Sequence, residues 1–295
     1  MNDAGESDLV RSAVAHLRAR FPGEPAPRLA VVLGSGLGGI AASLERRASI
    51  DATEVPGLPS PSVAGHGGRI HRGWWGAVPV LLFEGRGHLY EGHDAAAVTR
   101  NVRVAAALGA RDLVLTNAAG SCDPDLPAGS LMRASDLLDL FFRRLRGTRD
   151  PGFVGRGGGG VLDPALGRIL DRAAREARIV LHRGTLCGAM GPSYETASEI
   201  RLARRLGASA VTMSTIPEAF AGRAAGMRVA VVSLLSNFAT GVSFTAPLRH
   251  EDVLASASDA DERLARLLGR AASILGGGER GDGAARASGA TERRG

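Results

Sequence analysis

Short apolar segments recur along the chain, and most are followed by glycine or polar residues and then by a helical pattern. They have the length and composition of buried strands. The predicted strands cover residues 29–33, 78–83, 113–116, 178–187, 209–213 and 229–235. Strands that alternate with helices form α/β sheets whose strand ends meet at one edge, so we predict a single-domain α/β fold with its ligand site at that edge.

Helical periodicity separates the predicted strands and sets the limits of the domain. The predicted helices cover residues 9–21, 40–44, 95–108, 164–177, 197–206 and 250–272. The chain has 295 residues, 44% of them hydrophobic, which is enough for one large core. We predict a loose N-terminus over residues 1–8, one domain over 9–275 and a disordered, glycine- and arginine-rich tail over 276–295.

The segment after the second predicted strand carries three chemically versatile side chains. Arg86, His88 and Tyr90 alternate with other residues within 83–93, so an extended backbone would send all three to one side. A guanidinium, an imidazole and a phenol together suit an oxyanion bound beside a sugar. An ordinary polar loop after a strand is the alternative.

A glycine-rich turn at residues 34–39 joins the first predicted strand to a helix. Its backbone N–H groups lie at a helix N-terminus, where anions bind, and Ser35 adds a hydroxyl donor. The turn also matches the G-x-G-x-x-G pattern of dinucleotide-binding folds, with Asp51 or Glu54 as the acidic residue that follows. The segment that holds these acidic residues, 48–58, runs into prolines and would be a poor second strand. A Walker-type loop is excluded because the chain contains no lysine.

Further polar residues follow the other predicted strands. They are Asn117, Tyr194, Glu195, Ser214 and Asn237. Their recurrence at strand ends indicates an active site more strongly than any one of them does. Thr215 and Glu218 have the spacing of a capping box at a helix start. His66 lies in a loop rich in proline and glycine, where a lone histidine is more often structural than functional.

Charge and cysteine content exclude several classes of protein. The formal charge of +6 is spread along the chain, and the arginine cluster within 143–149 lacks the aromatic residues of a nucleic-acid surface. Cys122 and Cys187 form no paired motif, which fits a reducing compartment. His88 and His93 lack the spacing of a metal-binding helix, so we expect no metal.

The N-terminal segment is polar and charged, unlike a signal peptide. No apolar run approaches the roughly 20 residues of a membrane span. We therefore expect a cytoplasmic protein that binds neither nucleic acid nor a membrane.

Six motifs resemble, in the same order, those of the trimeric purine nucleoside phosphorylases, a family that includes the methylthioadenosine phosphorylases. They are Gly34-Ser35-Gly36-Leu37-Gly38, Gly85-Arg86-Gly87-His88-Leu89-Tyr90-Glu91-Gly92, Thr116-Asn117-Ala118-Ala119-Gly120, Gly191-Pro192-Ser193-Tyr194-Glu195-Thr196, Met213-Ser214-Thr215-Ile216-Pro217-Glu218 and Ser236-Asn237. The resemblance covers about residues 9–135 and 161–272. It implies a phosphorylase fold with a mixed, partly barrel-like sheet flanked by helices, and a homotrimer.

The resemblance also implies a reaction and residue roles. The reaction is phosphorolysis of a purine nucleoside to free base and (deoxy)ribose 1-phosphate, with phosphate as co-substrate and no cofactor. Phosphate would be bound by Ser35, Arg86, His88, the N–H of Ala118 and Ser214, with His66 near the entrance. Ribose would be bound by Tyr90, Met213 and His250. The base would be bound by Tyr194, Glu195 and Asn237. The expected catalytic residues are His88, Glu195 and Asn237.

The residues expected at the base favour 6-oxopurines such as those of inosine and guanosine. Their N1–H donates to Glu195, whereas N1 of adenine presents a lone pair to that carboxylate. The adenine-specific relatives carry aspartate where Asn237 stands. The alternatives are a divergent member with another nucleoside, such as methylthioadenosine, a protein that binds without turnover, and, remotely, a dinucleotide-binding protein.

The resemblance fails over residues 137–160. After Ser135-Asp136 the family usually continues into a polar loop that brings an aromatic side chain to the neighbouring subunit's ribose. Here a glycine-rich segment follows instead, and Phe141, Phe142 or Phe153 would be that aromatic residue.

Overall fold

Nine β-strands form one mixed sheet in the computed structural model, which describes residues 3–59, 67–139, 160–243 and 257–288. The strands are β1 Leu29–Val32, β2 Glu45–Asp51, β3 Arg69–Trp75, β4 Val78–Glu84, β5 Asp112–Ser121, β6 Leu131–Leu138, β7 Leu181–Gly188, β8 Ala208–Thr212 and β9 Arg228–Phe238. Their order is β2-β3-β4-β1-β5-β8-β7-β6-β9, and β9 also pairs with β5. This extra pairing closes five strands, from β5 to β9, into a barrel. The predicted α/β fold with a partly barrel-like sheet is confirmed.

Helices cover both faces of the sheet. In the described ranges they are α1 Asp3–Arg20, α2 Ala95–Val98, α3 Arg100–Ala107, α4 Pro164–Glu176, α5 Ala197–Arg205, α6 Ile216–Ala224 and α7 Ala257–Ser288. Short 3-10 helices cover Gly38–Ser43, Ala52–Glu54 and Leu89–Glu91. In β1, Ala30 and Val32 belong to the core formed with α1, α3 and α6. Leu29 and Val31 belong to the core formed with α4 and α7, as the alternation of side chains along a strand requires.

Both ends of the chain are more helical than predicted. α1 begins at Asp3 instead of residue 9. Glu6, predicted to be in a loose segment, is buried because its carboxylate accepts two hydrogen bonds from Arg100 of α3. α7 continues to Ser288, through much of the tail predicted to be disordered.

Three strands are absent from the prediction: β2, β3 and β6. β2 lies at the edge of the sheet and is mostly polar, because a strand with one exposed face does not need an apolar run. β3 contains buried His71 and Arg72, whose polarity interrupts the expected apolar pattern. In these strands, partners supplied by the rest of the fold outweigh the local sequence signal.

The connections around β1 do not fit a dinucleotide-binding fold. The glycine-rich turn leads into the short 3-10 helix and then into β2, which pairs antiparallel with β3. The neighbours of β1 are β4 and β5. In a dinucleotide-binding fold the turn leads through a crossover helix into the next strand of the chain, which lies parallel beside β1; here the next strand, β2, lies three positions away in the sheet. In the described part of the chain, no helix is both long and apolar enough to cross a bilayer.

β5 is the strand around which the site forms. It pairs with β1 only as far as Leu115 and with β8 only at Gly120 and Ser121. Between these ladders, neither strand is paired with residues 116–119, whereas β9 continues along the other edge. The prediction ended this strand at residue 116, but the continued pairing with β9 extends it. The gap between β1 and β8 is where a ligand can reach the backbone of β5.

Candidate active site

One cavity at this gap is lined by ten of the residues predicted for the site. They are Ser35, Arg86, His88, Tyr90, Ala118, Tyr194, Glu195, Met213, Ser214 and Asn237. Its volume of about 130 Å³ is many times the roughly 10–15 Å³ that one water molecule needs. The cavity is therefore of a size for a small-molecule ligand. His66 and His250 lie outside the described residues, and so do Phe141, Phe142 and Phe153, so their placement stays a prediction.

The glycine-rich turn approaches β5 so closely that only glycine fits. The Gly34 N–H donates to the hydroxyl of Thr116 at 3.1 Å. A Cβ at Gly34 would lie 2.6 Å from Cα of Asn117, far inside van der Waals contact. This close approach places Ser35 in the wall of the cavity.

Arg86 places a buried guanidinium beside the cavity. Its Nη1 donates to the Thr116 carbonyl at 2.8 Å, and its Nη2 donates to the Val32 carbonyl at 3.3 Å. Its Nε lies 2.8 Å from Oε2 of Glu218 in α6, and both side chains are at most 3% exposed. Nη1 also donates to the hydroxyl of Ser214 at 3.4 Å. These contacts fix the guanidinium next to a hydroxyl, which is a suitable arrangement for an oxyanion.

The turn between β8 and α6 holds Thr215 at φ 73° and ψ −44°, a conformation that β-branched residues rarely adopt. The Ile216 N–H donates to the Ser214 carbonyl at 2.7 Å, which makes this a γ-turn. Asn117 Nδ2 donates to the Thr215 hydroxyl at 2.9 Å and holds it in place. The predicted capping box is therefore wrong: Thr215 makes no capping hydrogen bond, and Glu218 faces Arg86 instead. Backbone strain of this kind concentrates at ligand sites.

The chain turns at His88 and does not remain extended as predicted. The Glu91 carboxylate accepts hydrogen bonds from His88 Nδ1 at 2.6 Å and from the His88 backbone N–H at 2.8 Å. The 3-10 helix that follows folds Tyr90 back onto His88, with ring centroids 4.7 Å apart and planes inclined by 15°. Because Nδ1–H donates to Glu91, Nε2 is the acceptor nitrogen of the neutral ring.

Burial lowers the pKa of His88 below its usual 6.5, outweighing the hydrogen bond to Glu91, and Arg86 lowers it further. Between the lowered pKa and 6.5, the unfolded chain binds more protons than the folded protein. The stabilisation from the neutral ring is thus complete above pH 6.5 and is lost as the pH falls through the lowered pKa. His71, whose pKa is also lowered by burial, contributes in the same direction.

We therefore expect His88→Gln to lose less stability than the wild type between about pH 7.5 and pH 5.5. Glutamine can hydrogen-bond to Glu91 without gaining a charge. Urea unfolding at several pH values measures the difference, and His71 is present in both proteins, so its contribution cancels. An equal or steeper loss of stability in the variant would contradict the neutral, buried His88.

Asn237, near the end of β9, has its amide orientation fixed by two neighbours. Its Nδ2 donates to the Phe238 carbonyl at 2.9 Å, and its Oδ1 accepts from the Ser236 hydroxyl at 2.7 Å. A carbonyl can only accept, so the nitrogen must face Phe238 and the oxygen must face Ser236. Nδ2 has a second N–H, which suits an acceptor such as a purine ring nitrogen.

The loop before α5 supplies an aromatic ring and a carboxylate. Tyr194 is 47% exposed. Burial raises the pKa of Glu195, and the charge of Glu199 adds to the shift. Two buried thiols, Cys122 and Cys187, lie within electrostatic range of Glu195, and burial raises the pKa of each to about 12. Burial, which disfavours the charged form of each group, is the main cause of all three shifts.

Sequence reasoning missed the residues that hold the predicted side chains in place. Glu91 orients His88, Ser236 orients Asn237, and Glu218 pairs with Arg86. All three lie inside the six motifs, so their positions in the sequence were a usable signal. Glu218 carried a signal for a different role, because acidic residues commonly cap helices.

Comparisons with known proteins agree with this geometry. A family model described as the phosphorylase superfamily matches residues 28–273. The purine nucleoside phosphorylase of Mycobacterium leprae is 43% identical over 242 residues, which span 81% of this chain and 87% of the relative. Purine nucleoside phosphorylase 1 of Bacillus subtilis is 35% identical over 250 residues, spanning 84% and 91%.

A solved structure supports the same conclusion. The crystal structure of a schistosoma purine nucleoside phosphorylase in complex with hypoxanthine has a TM-score of 0.80 and 28% identity, and the match covers 90% of this chain and 96% of that one. The match to the superfamily model spans most of the chain, and the curated relatives exceed 30% identity over most of it. The chain belongs to the phosphorylase superfamily and, within it, to the purine nucleoside phosphorylase family.

Proposed function

We propose that this protein cleaves purine nucleosides with inorganic phosphate, giving free base and (deoxy)ribose 1-phosphate, and that it prefers 6-oxopurine nucleosides. The observation that carries the proposal is the composition of one cavity. The same cavity is lined by Arg86, His88 and Ser214, whose side chains suit an anion, and by Glu195 and Asn237, whose side chains suit the polar edge of a purine. The named relatives are purine nucleoside phosphorylases, and solved relatives were crystallised with hypoxanthine, inosine and adenosine, so they support a purine nucleoside as substrate and leave the choice of base to the residues of this cavity.

The phosphate would occupy the side of the cavity formed by the glycine-rich turn, β5 and the turn before α6. Its oxygens would accept from the Ser35 hydroxyl, Arg86, the backbone N–H of Ala118 and the Ser214 hydroxyl. Neutral His88, with Nε2 as acceptor, suits the protonated oxygen of a phosphate ion. Tyr90, Met213 and His250 would contact the ribose between phosphate and base.

Bond cleavage needs no nucleophile from the protein. The bond from ribose C1′ to purine N9 breaks, its electron pair leaves with the base, and a phosphate oxygen forms the new bond to C1′. Positive charge builds on the sugar and is stabilised by phosphate. Negative charge builds on the purine and is stabilised by the Asn237 amide, which donates to N7, while Glu195 accepts from N1–H. The protein contributes positioning and electrostatics.

The base preference follows from the same two residues. Adenine has a lone pair at N1, which would face the Glu195 carboxylate without a proton between them, at a cost of roughly 1–3 kcal/mol.

A divergent member acting on another nucleoside, such as methylthioadenosine, is the second candidate. We also propose a homotrimer without a cofactor, and sedimentation velocity measures the assembly. The cytoplasmic location stays a prediction.

The deciding experiment is the release of hypoxanthine from inosine, followed with xanthine oxidase as a coupled reporter. We expect hypoxanthine release to depend on inorganic phosphate. It should also exceed the release of adenine from adenosine, measured by chromatography. A phosphate-independent release, or none, would contradict the phosphorylase activity. Faster release from adenosine or methylthioadenosine would leave the activity in place and correct the substrate.

A further inference from the structure

Glu218 is a buried carboxylate with no place in the proposed chemistry. It lies in the first turn of α6, is 2% exposed, and pairs through Oε2 with Arg86 Nε at 2.8 Å. Its other oxygen, Oε1, accepts a hydrogen bond from Asn101 Nδ2 of α3 at 2.9 Å. Asn101 is itself 7% exposed. A buried chain of three side chains thus runs from α3 through α6 to the cavity.

The orientation of each group in this chain is determined. Asn101 Oδ1 accepts from the Val102 N–H at 2.7 Å, so its nitrogen must face Glu218. Glu218 then accepts from Asn101 through Oε1 and faces the Arg86 cation through Oε2. The two carbonyls that hold Nη1 and Nη2 of Arg86 are neutral. Among the described contacts of Arg86, Glu218 is therefore the one that carries a negative charge.

We propose that Glu218, held by Asn101, is a positioning residue for phosphate, acting through Arg86; this rests on the proposed function. Glu218 fixes the guanidinium from the side away from the cavity and offsets its charge. Phosphate then meets a preorganised donor and not a mobile cation, and no side chain has to rearrange when it binds. Asn101 and Glu218 touch no substrate in this scheme, so neither is a catalytic residue.

The test reverses the polarity of the hydrogen bond between residues 101 and 218. In Glu218→Gln, the amide oxygen can face Arg86, but its NH2 group then faces the NH2 group of Asn101, donor against donor. In the double variant with Asn101→Asp, the carboxylate at position 101 accepts from the amide NH2 group at position 218 and still accepts from the Val102 N–H. The double variant therefore keeps the net charge and satisfies every group.

We expect Glu218→Gln to raise the KM for phosphate about tenfold, the loss of one charge-assisted contact, with the KM for inosine little changed. Adding Asn101→Asp should return the KM for phosphate to within about threefold of the wild type. Asn101→Asp by itself places two carboxylates together and should also raise the KM for phosphate. A purely structural role would lower the amount of folded enzyme without separating the two KM values.

Calorimetric titration with inorganic phosphate provides a readout that does not need turnover, so failure of the nucleoside assay and failure of this proposal remain distinguishable. The matched control is Asp171→Asn, which weakens the buried pair with Arg133 away from the cavity and should leave phosphate affinity unchanged. Unchanged or tighter phosphate binding in Glu218→Gln would overturn the proposal. So would a double variant that folds but binds phosphate no better than Glu218→Gln.

Discussion

Arg86→Ala is expected to lower kcat/KM for phosphate by about ten- to a hundredfold, because a charge-assisted contact is worth roughly 1.5–3 kcal/mol. The structure adds a second effect. Removing the guanidinium leaves the Glu218 carboxylate buried without its cation, which costs about 3–5 kcal/mol of stability and places a negative charge near the phosphate. Steady-state kinetics at varied phosphate and urea unfolding measure the two effects separately.

Two variants separate the effect of losing the Arg86 contact with phosphate from the effect of leaving the Glu218 carboxylate unpaired. Arg86→Ala with Glu218→Ala removes both charges, so it should regain stability without regaining phosphate affinity. Arg133→Ala breaks a largely buried pair with Asp171 outside the cavity, where Asp171 keeps a second partner in Arg183. It should lose stability while the folded enzyme keeps its kcat/KM. If Arg86→Ala retains the phosphate dependence of the wild type, the phosphate site has been assigned to the wrong residues.

Asn237→Asp is expected to lower kcat/KM for inosine and to shift the inosine-to-adenosine ratio toward adenosine by about ten- to a hundredfold. Aspartate cannot donate to N7, and its oxygens repel the C6 oxygen of hypoxanthine. They accept from the 6-amino group of adenine and from a protonated N7. The second carboxylate oxygen would also face the Phe238 carbonyl, which only accepts, and this cost is common to both nucleosides.

Asn237→Ala is the matched control for base choice. It removes the donor without adding an acceptor, so it should impair both nucleosides and leave their ratio near that of the wild type. Competition between inosine and adenosine in one reaction gives the ratio directly. A wild type that already prefers adenosine, or an aspartate variant with an unchanged ratio, would show that residue 237 does not select the base.

Much of the site was predictable because its residues share a simple topological property. Ser35, Arg86 and Ser214 lie just after the carboxyl ends of β1, β4 and β8, and such ends converge in an α/β sheet whatever the details of strand order. The prediction needed only the apolar runs and the polar residues after them. The closure of the barrel was expected from resemblance and not from the residues, since the pairing of β9 with β5 leaves no local mark.

The support behind the site was less predictable, because it depends on contacts between distant segments. Asn101 lies in α3 and Glu218 in α6. Nothing in the sequence near either residue indicates that the two are in contact or that Glu218 pairs with Arg86. The strained Thr215 is also invisible in sequence, since a threonine before a proline-containing helix start normally suggests a cap. Local rules describe the elements, whereas long-range pairing decides which polar residues are buried.

The two buried thiols near Glu195 allow openings of the folded protein to be measured by chemical labelling. A thiol with a pKa of about 12 has almost no reactive thiolate at neutral pH, and both are shielded from reagent while the strand ends stay packed. Alkylation of Cys122 or Cys187 must therefore wait for an opening of the surrounding packing that exposes the thiol. The labelling rate of the unaltered chain then measures how often such openings occur, and a lower rate with a bound purine would show that the ligand suppresses them.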